Sequence, residues 1–366
     1  MSRKNSIFIA ATGQNVGKTT TSLGIVSGLK KRFENLGFIK PVGQRHVFVE
    51  RNLAVDKDVV LFKDYFKLTH PYPDMSPVIL PRGTTKQYLD QEIPQDNFDN
   101  SILRSFHNIN DSSDFTVVEG TGHVGVGSIV GLSNAKVAKM LDLDIILIAT
   151  GGIGSTFDEI SLNKSLCDQY GVKIKGVVLN KVLPEKLKSS SYYIQKALER
   201  WNIPLMGVIP YEEFLLQPSF HDLSLLFGEP ILSGRDFLYR HFKHTRVVAT
   251  DCEYFTNDKR LDQLVITPAT RDDIVKEMVR KHQNSKGESL EGGIILTGTT
   301  KPSQESIESL KKLNMPCIYV PHTLYDTTQK INSFVSKISS KDFSKIHSAI
   351  SLVENNINFE KIIDSL

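Results

Sequence analysis

Between residues 6 and 209, short apolar runs bounded by turn formers alternate with segments whose apolar residues recur at helical spacing. Ser6–Ala11, Phe38–Val42, Phe115–Glu119, Ile145–Ala149, Gly176–Asn180 and Leu205–Ile209 read as buried strands. Lys18–Phe33, Asp58–Phe66, Ala135–Leu141, Asp158–Tyr170 and Tyr192–Arg200 read as helices, the first with Leu23, Val26, Leu29 and Phe33 at helical spacing. Strands alternating with helices build βαβ units, so the expected fold class is α/β with a mostly parallel sheet flanked by helices. Right-handed crossovers bring the strand-end loops to one edge of such a sheet. Residues 70–97 hold five prolines and little periodicity, and are expected to be mostly loop.

After Pro210 the rhythm is lost, and from Phe237 a second strand–helix alternation begins. A chain of 366 residues has room for two domains. The expected boundary lies within 210–236, dividing the chain into domains 1–215 and 216–366. The tail, 341–366, carries Phe343, Ile346, Ile350, Leu352, Ile357 and Phe359 among polar residues and reads as a packing helix of the second domain.

Composition excludes several function classes. A formal net charge of +3 leaves no broad basic footprint for nucleic acid. No apolar stretch approaches the ~18 residues of a bilayer span. Arg3 and Lys4 precede an apolar run too short for a signal-peptide core. Cys167, Cys252 and Cys317 are far apart and odd in number, which reads as free thiols in a reducing compartment, hence a cytoplasmic protein. His241 and His244 lack a completing Cys or carboxylate pattern and read as structural; His123 and His322 fall in loops.

Chemistry concentrates at "AATGQNVGKTT", between the first strand and the first helix. A glycine loop in that position lets backbone N–H groups close around phosphate oxygens, and the helix N-terminus adds positive potential. Gly13, Gln14, Asn15, Val16, Gly17, Lys18, Thr19 and Thr20 are therefore the candidate nucleotide-binding stretch. Lys18 is placed to reach the β- and γ-phosphates and the Thr19 hydroxyl to ligate Mg²⁺. The glycine usual five places before Gly17 is Thr12, and Gly13 supplies the flexibility one step later. Glu119 ends the apolar strand of "DFTVVEGTG", where a carboxylate is either an exposed strand end or a metal or water contact. Asp58 in "DKDVV" is either a helix N-terminal acid or a second metal partner. Lys40 in "GFIKPVG" is either a solvated lysine or a phosphate contact.

Taken together, "NVGKT", "KPVG", "DKDVV", "VVEGTG", "VVLNKV" and "GVIPY" resemble dethiobiotin synthetase and its P-loop relatives over roughly residues 5–212. The opening stretch looks most like the N-terminal region of long bacterial phosphate acetyltransferases, in which a synthetase-like domain precedes a DRTGG domain. "LVITPATRDDIV", "GGIILTGTTKPS" and "VPHTLYDTTQKINSF" resemble the DRTGG pattern. The resemblance implies a P-loop ATP-binding domain followed by a smaller DRTGG-like α/β domain, with ATP and Mg²⁺ as cofactors. It implies that Lys18 holds phosphates, Lys40 faces the terminal phosphate, Thr19, Asp58 and Glu119 serve the metal, Asn180 meets adenine and Pro210 lines the base pocket. It also implies a homodimer. No acetyl-transfer domain follows, so acetyltransferase activity is not expected.

Departures from the synthetases fall on the side of the second substrate: Gln14, the Gly43-Gln44 pair in place of a serine-containing turn, and Thr121 and His123. The reading is therefore a regulatory or sensor ATPase, open to a small-molecule effector. The alternatives are an ATP-dependent ligase acting on a small carboxylate or carbamate, and a non-enzymatic interaction module.

Overall fold

The computed structural model describes residues 5–257, 260, 262–284 and 291–363. Arg3 and Lys4 lie outside them. The chain divides into two compact units, the first formed by Met1–Glu212 with Ile338–Leu366 and the second by Glu213–Lys337.

The first unit is built on six parallel strands: β1 (Asn5–Ala11), β2 (Leu36–Ile39), β3 (Phe115–His123), β4 (Ile145–Thr150), β5 (Ile174–Val182) and β6 (Leu205–Pro210), in the order β6-β5-β4-β1-β3-β2. Ile7, Phe8, Ile9 and Ala10 of β1 are all buried, as a central strand covered on both faces requires. The covering helices are α1 (Lys18–Lys30), α2 (Lys57–Phe66), α3 (Gln95–Asp111), α4 (Asn134–Met140), α5 (Gly154–Gln169) and α6 (Leu187–Leu198). Strand order reverses at β1, which has β3 on one side and β4 on the other. Open parallel sheets place their ligand crevices at such a point, beyond the carboxyl ends of the strands.

Three local expectations are corrected. The run Phe38–Val42 is two strands: β2 stops at Ile39, and Val42–Gly43 pairs with Val78–Ile79 instead. Pro41 has no N–H to give a ladder, so pairing changes partner there. Residues 70–97 hold helical turns at Tyr72–Met75 and Thr84–Leu89 as well as that short strand, elements too brief to leave a periodic pattern. Helix α3 was not foreseen. Its buried Ile102, Phe106 and Ile109 are embedded among Asn, Asp and Ser residues of poor helix propensity.

The second unit carries β7 (Ile231–Ser233), β8 (His244–Val247), β9 (Gln263–Pro268), β10 (Gly293–Thr297) and β11 (Cys317–Val320), ordered β7-β11-β10-β9-β8 with only β7 antiparallel. Its main helices are α7 (Phe220–Phe227), α8 (Asp272–Asn284), α9 (Gln304–Lys312) and α10 (Leu324–Ser333). Ser219 and Asp222 form a reciprocal capping box that starts α7. One face of the sheet packs Val265, Ile294 and Leu296 against Ile274, Met278 and Leu310; the other packs Leu264, Ile266 and Ile295 against Phe220, Leu223 and Ile331.

The tail forms α11 (Phe343–Glu354) and α12 (Phe359–Ile363), and it belongs to the first unit, not to a 216–366 domain. The reason is a fitted seat on α1. A Cβ at Gly24 would overlap Val353, and one at Gly28 would overlap the Phe359 ring. Arg32 lies over that ring at 4.6 Å, and Lys31 pairs with Glu354. Between the two helices the chain covers the edge of β6: Val208 N–H donates to Asn356 O at 3.2 Å and Asn358 N–H to Met206 O at 2.8 Å. The buried Lys175 donates to Ile362 O at 2.7 Å. An open strand edge is a liability that the tail removes. The three cysteines are free, as expected. No helix among the described residues is long and apolar enough to cross a membrane.

Candidate functional site: a glycine loop beside a buried charge cluster

The loop after β1 is fixed from beneath at each end. Thr12, in the place of the usual first glycine, is buried. Its N–H donates to Ile148 O at 2.9 Å, its hydroxyl to Glu159 Oε2 at 2.9 Å, and its carbonyl accepts from Asn163 Nδ2 at 3.1 Å. Glu159 and Asn163 both lie on α5. At the far end, Asn180 Nδ2 donates to Val16 O at 2.9 Å and Lys181 Nζ to Asn15 O at 2.6 Å. Gly17 has φ +96° and lies against the Asn180 side chain, so conformation and space both demand glycine. Gln14 and Asn15 are exposed, Gly13 is half-buried, and Val16 is buried. Lys18, Thr19 and Thr20 then open α1 and remain half-buried at the mouth.

Beside this loop the end of β2 and the middle of β3 bring charges together; β3 runs on to His123, past the expected end at Glu119. Ile39 lies in register with Val118, so Lys40 and Glu119 follow on adjacent strands. Lys40 is 6% exposed, and its N–H donates to Met75 O at 2.9 Å. Its ammonium pairs with Asp56 Oδ1 at 3.0 Å, hydrogen-bonds Asp58 Oδ2 and lies 3.7 Å from Glu119 Oε1. Thr19 Oγ1 lies 3.4 Å from Asp58 Oδ2 and 3.4 Å from Glu119 Oε1. Asp56 is the N-cap of α2: its Oδ1 accepts the Asp58 N–H at 2.9 Å, and its own N–H donates to Ser76 Oγ at 3.1 Å.

The electrostatics follow from burial. Desolvation is the largest single influence on Lys40 and opposes its charge. The carboxylates of Asp58, Glu119 and Asp56 together outweigh it, and hold the ammonium above the ordinary lysine range. Glu119 is fully buried, and desolvation raises its pKa against the lowering effects of Lys40 and Lys18. Its Oε2 makes no well-formed hydrogen bond, although the nearby Ser22 hydroxyl also lowers the pKa. A buried carboxylate with an unsatisfied oxygen is costly, and such groups concentrate at functional sites.

The expected residues thus converge in two sets. Gly13 to Thr20, Lys40, Asp58 and Glu119 surround the carboxyl end of β1. Asn180, on β5 in register with Thr150, and Pro210, at the end of β6 opposite Val182, lie at the same edge of the sheet. Both polar ends of Asn180 are engaged within the chain, Nδ2 with Val16 O and Oδ1 with the Lys181 N–H at 2.9 Å. Asp56, Glu159, Asn163 and Lys181 were not anticipated. Asp56 could have been read from the cap pattern of "VDKD"; nothing local marks the two α5 residues as partners of a loop so far away in sequence. His241 packs its ring against Phe214 at 4.9 Å, in keeping with a structural part. His123, at the exposed end of β3, accepts from the Gly125 N–H at 3.1 Å.

A central parallel strand running into a Gly-Lys-Thr loop and helix, with the buried carboxylate of Glu119 on the neighbouring strand, defines the first unit as a P-loop NTPase-like domain. The chain belongs to the AAA_26 family, described as an AAA domain, which matches residues 5–219; a DRTGG domain matches residues 225–334. It is 26% identical to a phosphate acetyltransferase of Synechocystis sp., covering 99% of this chain and 52% of that protein. It is also 26% identical to the ATP-dependent dethiobiotin synthetase of Clostridium kluyveri, over 48% of this chain and 73% of that one. The chain spans about half the length of the phosphate acetyltransferases it matches. Among solved structures, the MinD cell division protein of Aquifex aeolicus covers 58% of this chain and is itself covered to 84%, with 16% identity and a TM-score of 0.37.

Proposed function

We propose that the first unit binds ATP with Mg²⁺ and that the chain acts as a regulatory or sensor ATPase, the second unit answering to the nucleotide state. The observation that carries this reading is the buried Lys40–Asp56–Asp58–Glu119 cluster directly against Thr19 at the end of the glycine loop. Burying two carboxylates and an ammonium together, with Asp58 at their edge, is a cost that a merely structural turn does not require.

The residues fit the cation. Thr19, Asp58 and Glu119 offer oxygen donors only, as a hard cation prefers, and Glu119 Oε2 is buried without a well-formed hydrogen bond. Among the described residues no set of three or more His, Cys, Asp or Glu side chains would hold a metal unaided. That suits an ion that completes its shell with waters and nucleotide phosphates. When bound, Mg²⁺ would neutralise phosphate charge. The chain's own groups do the rest. Loop N–H groups and the α1 N-terminus attract the phosphates, Lys18 adds a point charge at their end, and Lys40 stands ready as a second cation. Asn180 and Lys181 hold the Val16 and Asn15 carbonyls and so fix the far end of the loop. By the resemblance to the synthetases, Gln14, Gln44, Thr121 and His123 replace residues on the side of the second substrate, and this supports a sensor over a ligase.

Isothermal titration with a non-hydrolysable ATP analogue and Mg²⁺ tests the reading. Binding to the wild type and a loss of about a hundredfold or more in Lys18→Ala are expected, since each tenfold is about 1.4 kcal/mol. No binding, or equal binding by the variant, removes it. ADP release stimulated many-fold by one small carboxylic or diamino acid would favour the ligase instead.

A further inference from the structure

The two oxygens that approach the Thr19 hydroxyl, Asp58 Oδ2 and Glu119 Oε1, are also the oxygens that face the Lys40 ammonium. A divalent cation using Thr19, Asp58 and Glu119 would need those same lone pairs. It would also stand beside a buried positive charge in surroundings with little water to screen the two. Lys40 and a cation therefore compete for one place. Asp56 tips the competition toward the lysine. It is buried, its Oδ1 is fixed by the α2 cap, and it pairs with Lys40 without touching Thr19.

We infer that Lys40 is the resident counter-ion of this cluster and that it closes the cluster to free divalent cations. The ion gains entry only when a phosphate group gives the lysine another anion to pair with. The four-carbon stem of a lysine allows that exchange while the backbone stays tied to Met75 O. Nucleotide and cation would then bind as one event, with each raising the affinity for the other by the same factor. The inference rests on the reading of the loop as an ATP site, but its test uses no nucleotide.

The probe is Mn²⁺ alone, titrated into the full chain and followed by electron paramagnetic resonance. The wild type is expected to show no site tighter than about 1 mM. Lys40→Gln should gain one site at least about tenfold tighter, whereas Lys40→Arg, which keeps the charge, should not. A second readout is thermal melting, where Mn²⁺ should raise the melting temperature of Lys40→Gln and leave the wild type unmoved, as binding to the folded state alone requires. A tight Mn²⁺ site in the wild type overturns the inference even if no variant folds. So does Lys40→Gln binding Mn²⁺ no better than wild type. If the wild type binds no ATP analogue while Lys40→Gln gains the Mn²⁺ site, the ATP reading falls and the counter-ion role stands. If ATP binds and Lys40→Gln gains nothing, the reverse holds.

Discussion

At the carboxyl ends of the first sheet, Lys40, Asp56 and Glu119 are buried together beside a loop. At the carboxyl ends of the second sheet, Arg271, Asp272 and Asp273 stand at or near the surface. Asp272 Oδ1 accepts from the hydroxyls of Ser303 at 2.7 Å and Ser306 at 2.6 Å, and these bonds hold its pKa down. Arg271 grips Asp273 with two parallel bonds of 2.8 and 2.7 Å, which does the same for that carboxylate. Glu119 moves the other way, because burial, helped by the neighbouring Asp58 charge, dominates. Both units are mostly parallel α/β structures with loops gathered at one edge. They differ in that a fully buried carboxylate of the first, Glu119, is left with an oxygen that makes no well-formed hydrogen bond. Charges that are satisfied locally fasten loops; charges held buried at a cost mark the place where chemistry is expected.

The largest effect expected from this contrast is on stability. Lys40→Ala leaves three buried or nearly buried carboxylates without their cation, and breaking a buried pair from one side costs about 3–5 kcal/mol. Urea unfolding of the first unit's transition should register that loss, and a change smaller than that of any second-unit charge variant would contradict the contrast. Next is the seat of the tail. Gly24→Leu forces a side chain into Val353, and overpacking of this kind costs about 1–3 kcal/mol. The same unfolding transition should fall, and amides of 343–363 should lose protection from hydrogen exchange. In the second unit, Asp272→Ala removes an acceptor from two partly buried hydroxyls and should cost about 1 kcal/mol there, with the affinity for an ATP analogue unchanged.

The smallest effect concerns pH. Burial lowers the Lys175 pKa to about 8, below the ordinary 10.5. Between these values the unfolded chain binds more protons than the folded one, so this group makes stability rise with pH. The penalty is fully present below pH 8 and disappears by about pH 10.5. Lys175→Met should lack that rise, a difference of about 1 kcal/mol between pH 7 and 9. An unchanged slope would mean that Lys175 keeps an ordinary pKa beside Ile362 O.

Much of the first unit was legible because its strands are covered on both faces and so read as continuous apolar runs. Lys40 was identifiable as a strand-end charge; Glu119 stood out as a carboxylate closing an apolar run, although its strand continues to His123, and strand register makes the two neighbours. Asp56 was harder, because its meaning depends on a ribbon, His46–Val49 against Leu53–Asp56, whose apolar residues Val47, Phe48 and Leu53 are exposed and follow no burial pattern. The pinning of Thr12 by Glu159 and Asn163 leaves no local mark at all, since it depends on how α5 packs. The return of the tail did leave a mark: Gly24 and Gly28 lie one helical turn apart on α1, where a partner can approach closely. Taken with the apolar positions of 343–359, that pair of glycines could have assigned the tail to the first unit.

Hydrogen exchange on the full chain, with and without a non-hydrolysable ATP analogue and Mg²⁺, tests the central claim most directly. It predicts new protection in 12–20 and 119–123, the segments that would surround the phosphates, larger than any change in 268–273 and 297–303. Protection confined to those second-unit loops, with none at the glycine loop, would contradict it.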